Sequence, residues 1–314
     1  MRETRNQNRK VFYPPTGTVK VAWYAGGYGY GAAEWSEALA RVDWRGDGPN
    51  EAAKAWVLKA GRKGTVWRAT LPVGRGKRER ALECVLKVEP LRGIGKRFQA
   101  LLRKTKAWRQ RDGARLLEKK KIPCSPCHAI LRGKGRSGFV EVLVARWIEG
   151  PTLLERLAAD DRTIAEEQAI SAALADLTAN LLDGRPALAN LDHKPSNMIL
   201  SPGRPVALID SVAIEKVGRV DHGEAEEMFE CMVRECGACA HLPSRSSAMR
   251  FARALASRRA DGKRTDRRQI FVWLTREAAR EDWQTPRDDP LAPPRRAYEI
   301  EAESGAPARA APKE

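Results

Sequence analysis

The sequence predicts an α+β chain in which strands precede a mainly helical region. Runs rich in β-branched and aromatic residues gather in the first half, at residues 55–59, 65–71, 82–88 and 139–147. Apolar residues at three- and four-residue steps dominate the second half, at 163–182, 224–239, 246–259 and 269–280. With 314 residues, 42% of them hydrophobic, the chain is long enough for two lobes around a cleft.

Taken in order, residues 1–50 read as an N-terminal extension whose first ten residues form a polar arm. Within it, Gly27, Gly29 and Gly31 suggest a phosphate loop, but no Lys-Ser/Thr follows and a dinucleotide fingerprint lacks its spacing, so a loop or edge hairpin is expected. Ala55–Lys59 and Thr65–Leu71 read as strands around the turn Gly61-Arg62-Lys63-Gly64, and Leu82–Val88 as a third strand. Phe98–Lys120 has helical composition and meets the proline turn Ile122–Pro126. Phe139–Trp147 reads as a strand leading into Ile148-Glu149-Gly150-Pro151-Thr152-Leu153. The helix Thr163–Leu182 carries Ile164, Ile170, Ala173, Leu174, Leu177 and Leu181 on its apolar steps, with Thr163 and Glu166 reading as a capping box. Residues 284–314, rich in Pro, Ala, Arg and Glu, read as a disordered tail.

The most informative segment is Asp192-His193-Lys194-Pro195-Ser196-Asn197, followed by Met198–Leu200 and, after Ser201-Pro202-Gly203-Arg204, by Val206–Ile209 and Asp210. Two short buried strands around that turn would bring Asn197 and Asp210 side by side. Magnesium takes hard oxygen ligands and draws one or two from the protein, which Asn197 and Asp210 can supply. Phosphoryl transfer to a hydroxyl further needs a carboxylate that orients the acceptor and takes its proton, and a cation on the transferred group. Asp192 suits the first role and Lys194 the second. The competing reading is a plain strand-turn-strand unit, since Asp, Asn and Pro are turn formers.

Asn190-Leu191-Asp192-His193-Lys194-Pro195-Ser196-Asn197 resembles the catalytic loop of the protein-kinase-like superfamily, and Leu208-Ile209-Asp210-Ser211-Val212 stands where those enzymes carry their metal-binding Asp-Phe-Gly. The family's His-Arg is here Asn190-Leu191, and its Phe-Gly is Ser211-Val212. Ile122-Pro123-Cys124-Ser125-Pro126 and Glu149-Gly150-Pro151-Thr152-Leu153 are similar to segments of the lipopolysaccharide kinases, which phosphorylate heptose or Kdo sugars. The resemblance implies a bilobal fold, with residues 51–149 as a small antiparallel ATP-binding lobe and 150–283 as a compact, mainly helical lobe. It implies Asp192 and Lys194 as catalytic residues, and Asn197 and Asp210 on Mg2+. For ATP it implies Gly61 and Gly64 near the phosphates, Lys87 on the α- and β-phosphates, and backbone groups around Trp147 and Glu149 on adenine. A helix glutamate should hold Lys87, and the nearest positions are Gln110 and Asp112. No Ala-Pro-Glu segment follows Asp210, which favours a small-molecule or glycolipid acceptor over a protein platform. A protein Ser/Thr or aminoglycoside acceptor is the first alternative, and a catalytically silent nucleotide-binding module the second.

Net charge is +17, and the stretch Arg92–Lys121 holds twelve Lys or Arg against Asp112 and Glu118. It reads either as a solvated helix face or as a shelf for an anionic membrane surface. Nucleic acid is disfavoured, because only Phe98 and Trp108 offer stacking rings there. No apolar run approaches a membrane span and the N-terminus lacks an apolar signal segment, so the expected location is cytoplasmic or peripheral at the inner face of the cell membrane. Cys124, Cys127, Cys231, Cys236 and Cys239, with His128 and His241, offer a rival zinc set, against reduced buried thiols as the plainer reading.

Overall fold

The structure is a computed structural model, which describes residues 22–25, 35, 37–39, 44–45, 48–49, 55–61, 64–74, 79–135, 138–159, 161–183, 186–217, 222–238, 242–258 and 264–279. The expected polar arm and the expected tail at 284–314 lie outside the described residues, as do Gly27, Gly29 and Gly31. The chain divides into two compact units. The first comprises Met1–Arg115 and Ser125–Trp147, the second Leu116–Cys124 and Ile148–Glu314.

The first unit carries β1 (Ala22–Ala25), the small pair β2 (Trp44–Arg45) and β3 (Gly48–Pro49), β4 (Ala55–Gly61), β5 (Gly64–Val73) and β6 (Arg80–Pro90). Helices α1 (Gly93–Leu101) and α2 (Lys106–Lys119) precede β7 (Cys127–Gly135) and β8 (Gly138–Arg146). Six strands form one antiparallel sheet in the order β1-β7-β8-β6-β5-β4. Period-two alternation decides its faces. Cys84, Leu86 and Val88 of β6 join Ala69, Leu71, Val73, Val140, Val142 and Val144 in one core, closed by Trp35, Ala38 and Leu39. Lys87 therefore points to the other face, directly across from Leu143, where Ala107 and Trp108 of α2 pack with Ile130 and Leu143. Gly64 takes φ +146°, and a Cβ there would stand 2.3 Å from the Val88 carbonyl oxygen, so the β4–β5 hairpin needs a glycine at this position for its own packing.

The expected helix Phe98–Lys120 is two helices. Leu101 ends the first, Arg103 turns into the left-handed region at φ +58°, and Thr105 gives its hydroxyl to the buried Glu141 carboxylate before α2 begins. A side chain committed to the sheet thus breaks what composition read as continuous.

In the second unit, α3 (Leu153–Ala158) and α4 (Ile164–Leu182) lead to β9 (Ala187–Asn190), a 3₁₀ turn Pro195–Asn197, β10 (Met198–Ile199), β11 (Ala207–Leu208) and β12 (Ile214–Val217). Among the described residues three helices follow: α5 (His222–Ala238), α6 (Arg245–Arg258) and α7 (Arg264–Ala278). Their core joins Leu174, Leu177, Leu181, Met198, Leu208 and Phe229, with Phe251 edge-on and Trp273 stacked against Phe229, each at 5.9 Å. Thr163 caps α4 through Glu166 N–H at 3.2 Å, but the Glu166 carboxylate pairs with Arg156 at 2.6 Å, and Ile164 is exposed. The reciprocal capping box lies one helix earlier, at Thr152 and Glu155. Lys120, within the basic run, donates to the carbonyls of Leu181 and Asp183 and so satisfies the end of α4.

Candidate functional site

Two short strand pairs frame the segment between Leu191 and Asn197. Before it, β9 pairs with β12, Asn190 opposite Ile214; after it, β10 pairs with β11, Met198 opposite Leu208. Asp210 lies on the link from β11 to β12, facing the loop that joins β9 to β10. The β10–β11 hairpin turns at Ser201–Arg204, where Pro202 precedes Gly203 at φ +67° and Arg204 N–H donates to Ser201 O at 3.1 Å, the chemistry of a type II turn. Ile209 N–H donates to Asn197 O at 3.0 Å, so Asn197 and Asp210 stand one residue out of direct register.

Two polar side chains meet at Asp192. Lys194 Nζ lies 2.5 Å from its Oδ1, and Asn197 Nδ2 donates to its Oδ2 at 3.0 Å and to its carbonyl at 3.2 Å. Both acceptors fix the amide orientation, and Asn197 Oδ1 accepts no hydrogen bond among the described residues. Burial lowers the Lys194 pKa, but the Asp192 hydrogen bond and charge, with Cys231 and Glu235, outweigh it, and the net direction is up. Lys194 is therefore a fixed cation. Asp210 accepts Val212 N–H at 3.2 Å, which holds its carboxylate in a tight turn. This cluster presents carboxylate and amide oxygens beside a lysine, a set that can hold a hard divalent cation and an anionic group together.

Beneath the loop runs a buried network that the sequence reading missed. Asp192 N–H donates to Asn190 Oδ1 at 3.2 Å, which leaves Asn190 Nδ2 as donor to His193 Nδ1 at 3.1 Å. The imidazole proton then belongs on Nε2, 3.5 Å from the Thr178 hydroxyl, which itself donates to Leu174 O at 2.8 Å. Burial drives the His193 pKa down to about 4, so the ring is neutral at pH 7. From α5, Glu235 accepts both Ser196 N–H at 2.8 Å and the Ser196 hydroxyl at 2.6 Å, and Cys231 Sγ lies 3.6 Å from Leu191 O. A signal was present for the α5 contribution: Met228, Cys231, Met232 and Glu235 follow helical steps, so a charged residue sits in the phase of the core.

The two candidates for holding Lys87 separate cleanly. Lys87 Nζ donates to Gln110 Oε1 at 2.8 Å. Gln110 is 2% exposed, whereas the Asp112 side chain is 66% exposed and lies 3.6 Å from Arg111. The option that Asp112 stands in for the helix glutamate is thus corrected: Gln110 follows Ala107 by three and precedes Ala114 and Leu117, so it shares the buried face of α2 while Asp112 falls out of phase. At the end of β8, Trp147 N–H donates to Glu83 O at 3.1 Å, and the Trp147 ring lies 4.1 Å below the Arg68 guanidinium. Glu149 O accepts the Ser201 hydroxyl at 2.5 Å, so this carbonyl already has a partner. Gly61 lies opposite Gly64 in the β4–β5 hairpin.

Among the described residues no three His, Cys, Asp or Glu side chains gather as a metal site. Cys239 and His241 of the rival zinc set lie outside them, and burial pushes the thiol of Cys124 up to about 12 and that of Cys231 upward. No described helix is long and apolar enough to cross a membrane.

No protein-family model and no curated protein sequence matches the chain. Among solved structures, it is similar to one described as WaaP in complex with acyl carrier protein, at 14% sequence identity and a TM-score of 0.47, over 75% of this chain and 91% of that one.

Proposed function

We propose that the chain is a kinase-like phosphotransferase that uses MgATP and phosphorylates a sugar hydroxyl, in the core of a lipopolysaccharide or a related glycolipid. The observation that carries the reading is the convergence of Lys194 and Asn197 on the Asp192 carboxylate, with Asp210 on the facing link. The donor set suits magnesium, because Asn197 directs its amide nitrogen to Asp192 and keeps Oδ1 for a hard cation, and Asp210 adds a carboxylate. When bound, the metal neutralises phosphate charge during transfer.

Each protein group then has a task. Asp192 accepts a hydrogen bond from the acceptor hydroxyl and takes its proton as the oxygen attacks the terminal phosphoryl group, with ADP leaving. Lys194 supplies positive charge to that phosphoryl group, and Lys87, steered by Gln110, is assigned to the α- and β-phosphates. Gly61 and Gly64 and the backbone around Trp147 and Glu149 are assigned to the nucleotide. The buried His193 and Asn190 hold the Asp192 backbone in place and stay clear of the proton transfer.

Transfer of labelled phosphate from ATP to a lipopolysaccharide extract, compared with a protein substrate and an aminoglycoside, tests the reading. Asp192→Asn is expected to lower transfer by about 10²- to 10⁴-fold with the thermal midpoint little changed. Equal transfer by the variant would overturn the role of Asp192. A second reading, a nucleotide-binding module without turnover, draws on the neutral Gln110 where an acid would complete an ion pair; it predicts ATP binding without transfer to any acceptor.

A further inference from the structure

Helix α1 turns its apolar side outward. Ile94, Phe98, Leu101 and Leu102 fall within one strip of a 3.6-residue helix, and Ile94, Leu101 and Phe98 are 86%, 71% and 59% exposed. Ala100, the buried residue of the helix, lies on the opposite side. An ordinary surface helix faces its apolar strip to the core, so the polarity of this one is inverted.

The attachments of α1 agree with that inversion. Its end is tied to the sheet: Arg132 donates to the Ala100 carbonyl and pairs at 3.0 Å with the buried Glu141, which also receives the Thr105 hydroxyl. Its beginning stands clear, since a Cβ at Gly93 or Gly95 would meet nothing within 4 Å. Arg92 provides no side-chain cap, and the first turn contains no acid. With two glycines in nine residues, such a helix has little stability of its own in water and gains from an external apolar surface.

The surrounding charge selects the surface. Residues 92–106 contain Arg92, Lys96, Arg97, Arg103, Lys104 and Lys106 and no Asp or Glu. A second copy of this chain would bring the same charges against one another, whereas an anionic bilayer accepts both the strip and the cations. Arg97 also covers the part-exposed ring of Phe139 at 4.9 Å, which extends the apolar platform under a cation.

We propose that α1 is a membrane-docking element: Ile94, Phe98, Leu101 and Leu102 enter the acyl boundary of an anionic phospholipid bilayer, and the flanking Lys and Arg side chains bind the lipid phosphates. The proposal goes beyond the phosphotransfer reading and is tested without nucleotide, so either can fail alone. The full chain is floated with vesicles of phosphatidylcholine, and with vesicles in which a third of the lipid is phosphatidylglycerol. Wild type is expected to float with the anionic vesicles and stay behind with the neutral ones. The triple variant Ile94→Ser, Phe98→Ser, Leu101→Ser, whose side chains are exposed, keeps the thermal midpoint and binds at least about tenfold more weakly. Lys96→Glu with Lys104→Glu weakens binding as well. Equal flotation of the triple variant would overturn insertion and leave a purely ionic surface. Wild type that binds a polyglutamate resin but floats with neither vesicle would overturn the proposal in favour of an acidic protein partner.

Discussion

Asn190 stands where the resembled family carries a histidine, and its two hydrogen bonds explain what the position does in this chain. Its carbonyl oxygen holds the Asp192 amide and its nitrogen fixes the His193 tautomer. Asn190→Ala removes these bonds from the buried His193 ring and the part-buried Asp192 amide, so a loss of about 1–3 kcal/mol is expected in denaturant unfolding. His193 adds a pH dependence with a definite sign. Burial holds its pKa near 4 in the folded chain against an ordinary 6.5, so between those values the unfolded chain binds a proton that the folded chain does not. Stability contributed by this ring is complete above pH 6.5 and is lost as pH falls toward 4, by up to about 3 kcal/mol. Thermal midpoints across that window should fall less steeply for His193→Gln than for wild type, and identical slopes would contradict the assignment.

Elements show where local chemistry was legible and where it was not. Pro202-Gly203 announced the β10–β11 turn, and Thr163 announced the start of α4, because each acts on its own neighbours. The break between α1 and α2 escaped the sequence reading, since it depends on Thr105 meeting Glu141, thirty-six residues away. The capping box was read one helix late for a similar reason: Glu166 has the right spacing, but Arg156 takes its carboxylate. The resemblance implies Gly64 near the nucleotide phosphates, and the carbonyl of Val88 gives this glycine a packing reason of its own. Gly64→Ala is accordingly expected to cost about 1–3 kcal/mol of stability without any nucleotide present, as urea unfolding would reveal. Gln110 belongs at this scale too, because the face of α2 decides which polar residue reaches β6. Gln110→Leu fits the buried site and removes the bond to Lys87, so KM for ATP is expected to rise about tenfold, with a smaller change in kcat.

For the whole molecule, the division of labour is visible in how charge is distributed. The polar cluster around Asp192 belongs to the second unit, together with the strand pairs and α5 that hold it. Lys87 and its partner Gln110 belong to the first unit, as does α1. The basic run that sequence joined into one shelf separates by task, with Lys120 capping α4 and Lys96 and Arg97 standing beside an exposed apolar strip. Spacing alone marked Asp192, Lys194, Asn197 and Asp210 because they lie on one loop and one hairpin. The supporting Thr178, Cys231 and Glu235 come from distant helices, and the helical phase that Cys231 and Glu235 share with Met228 and Met232 is their signal in the sequence. Binding of ATP with and without magnesium, followed by thermal unfolding of wild type and Asp210→Asn, tests the metal-nucleotide site most directly. The variant keeps an acceptor for Val212 N–H and loses the charge. At ligand about a hundredfold above Kd, wild type is expected to gain about 2.7 kcal/mol, a rise of several degrees that requires magnesium, and Asp210→Asn to gain little. A rise of the same size in both proteins, or no magnesium-dependent rise in wild type, would contradict the assignment of this loop and hairpin to MgATP.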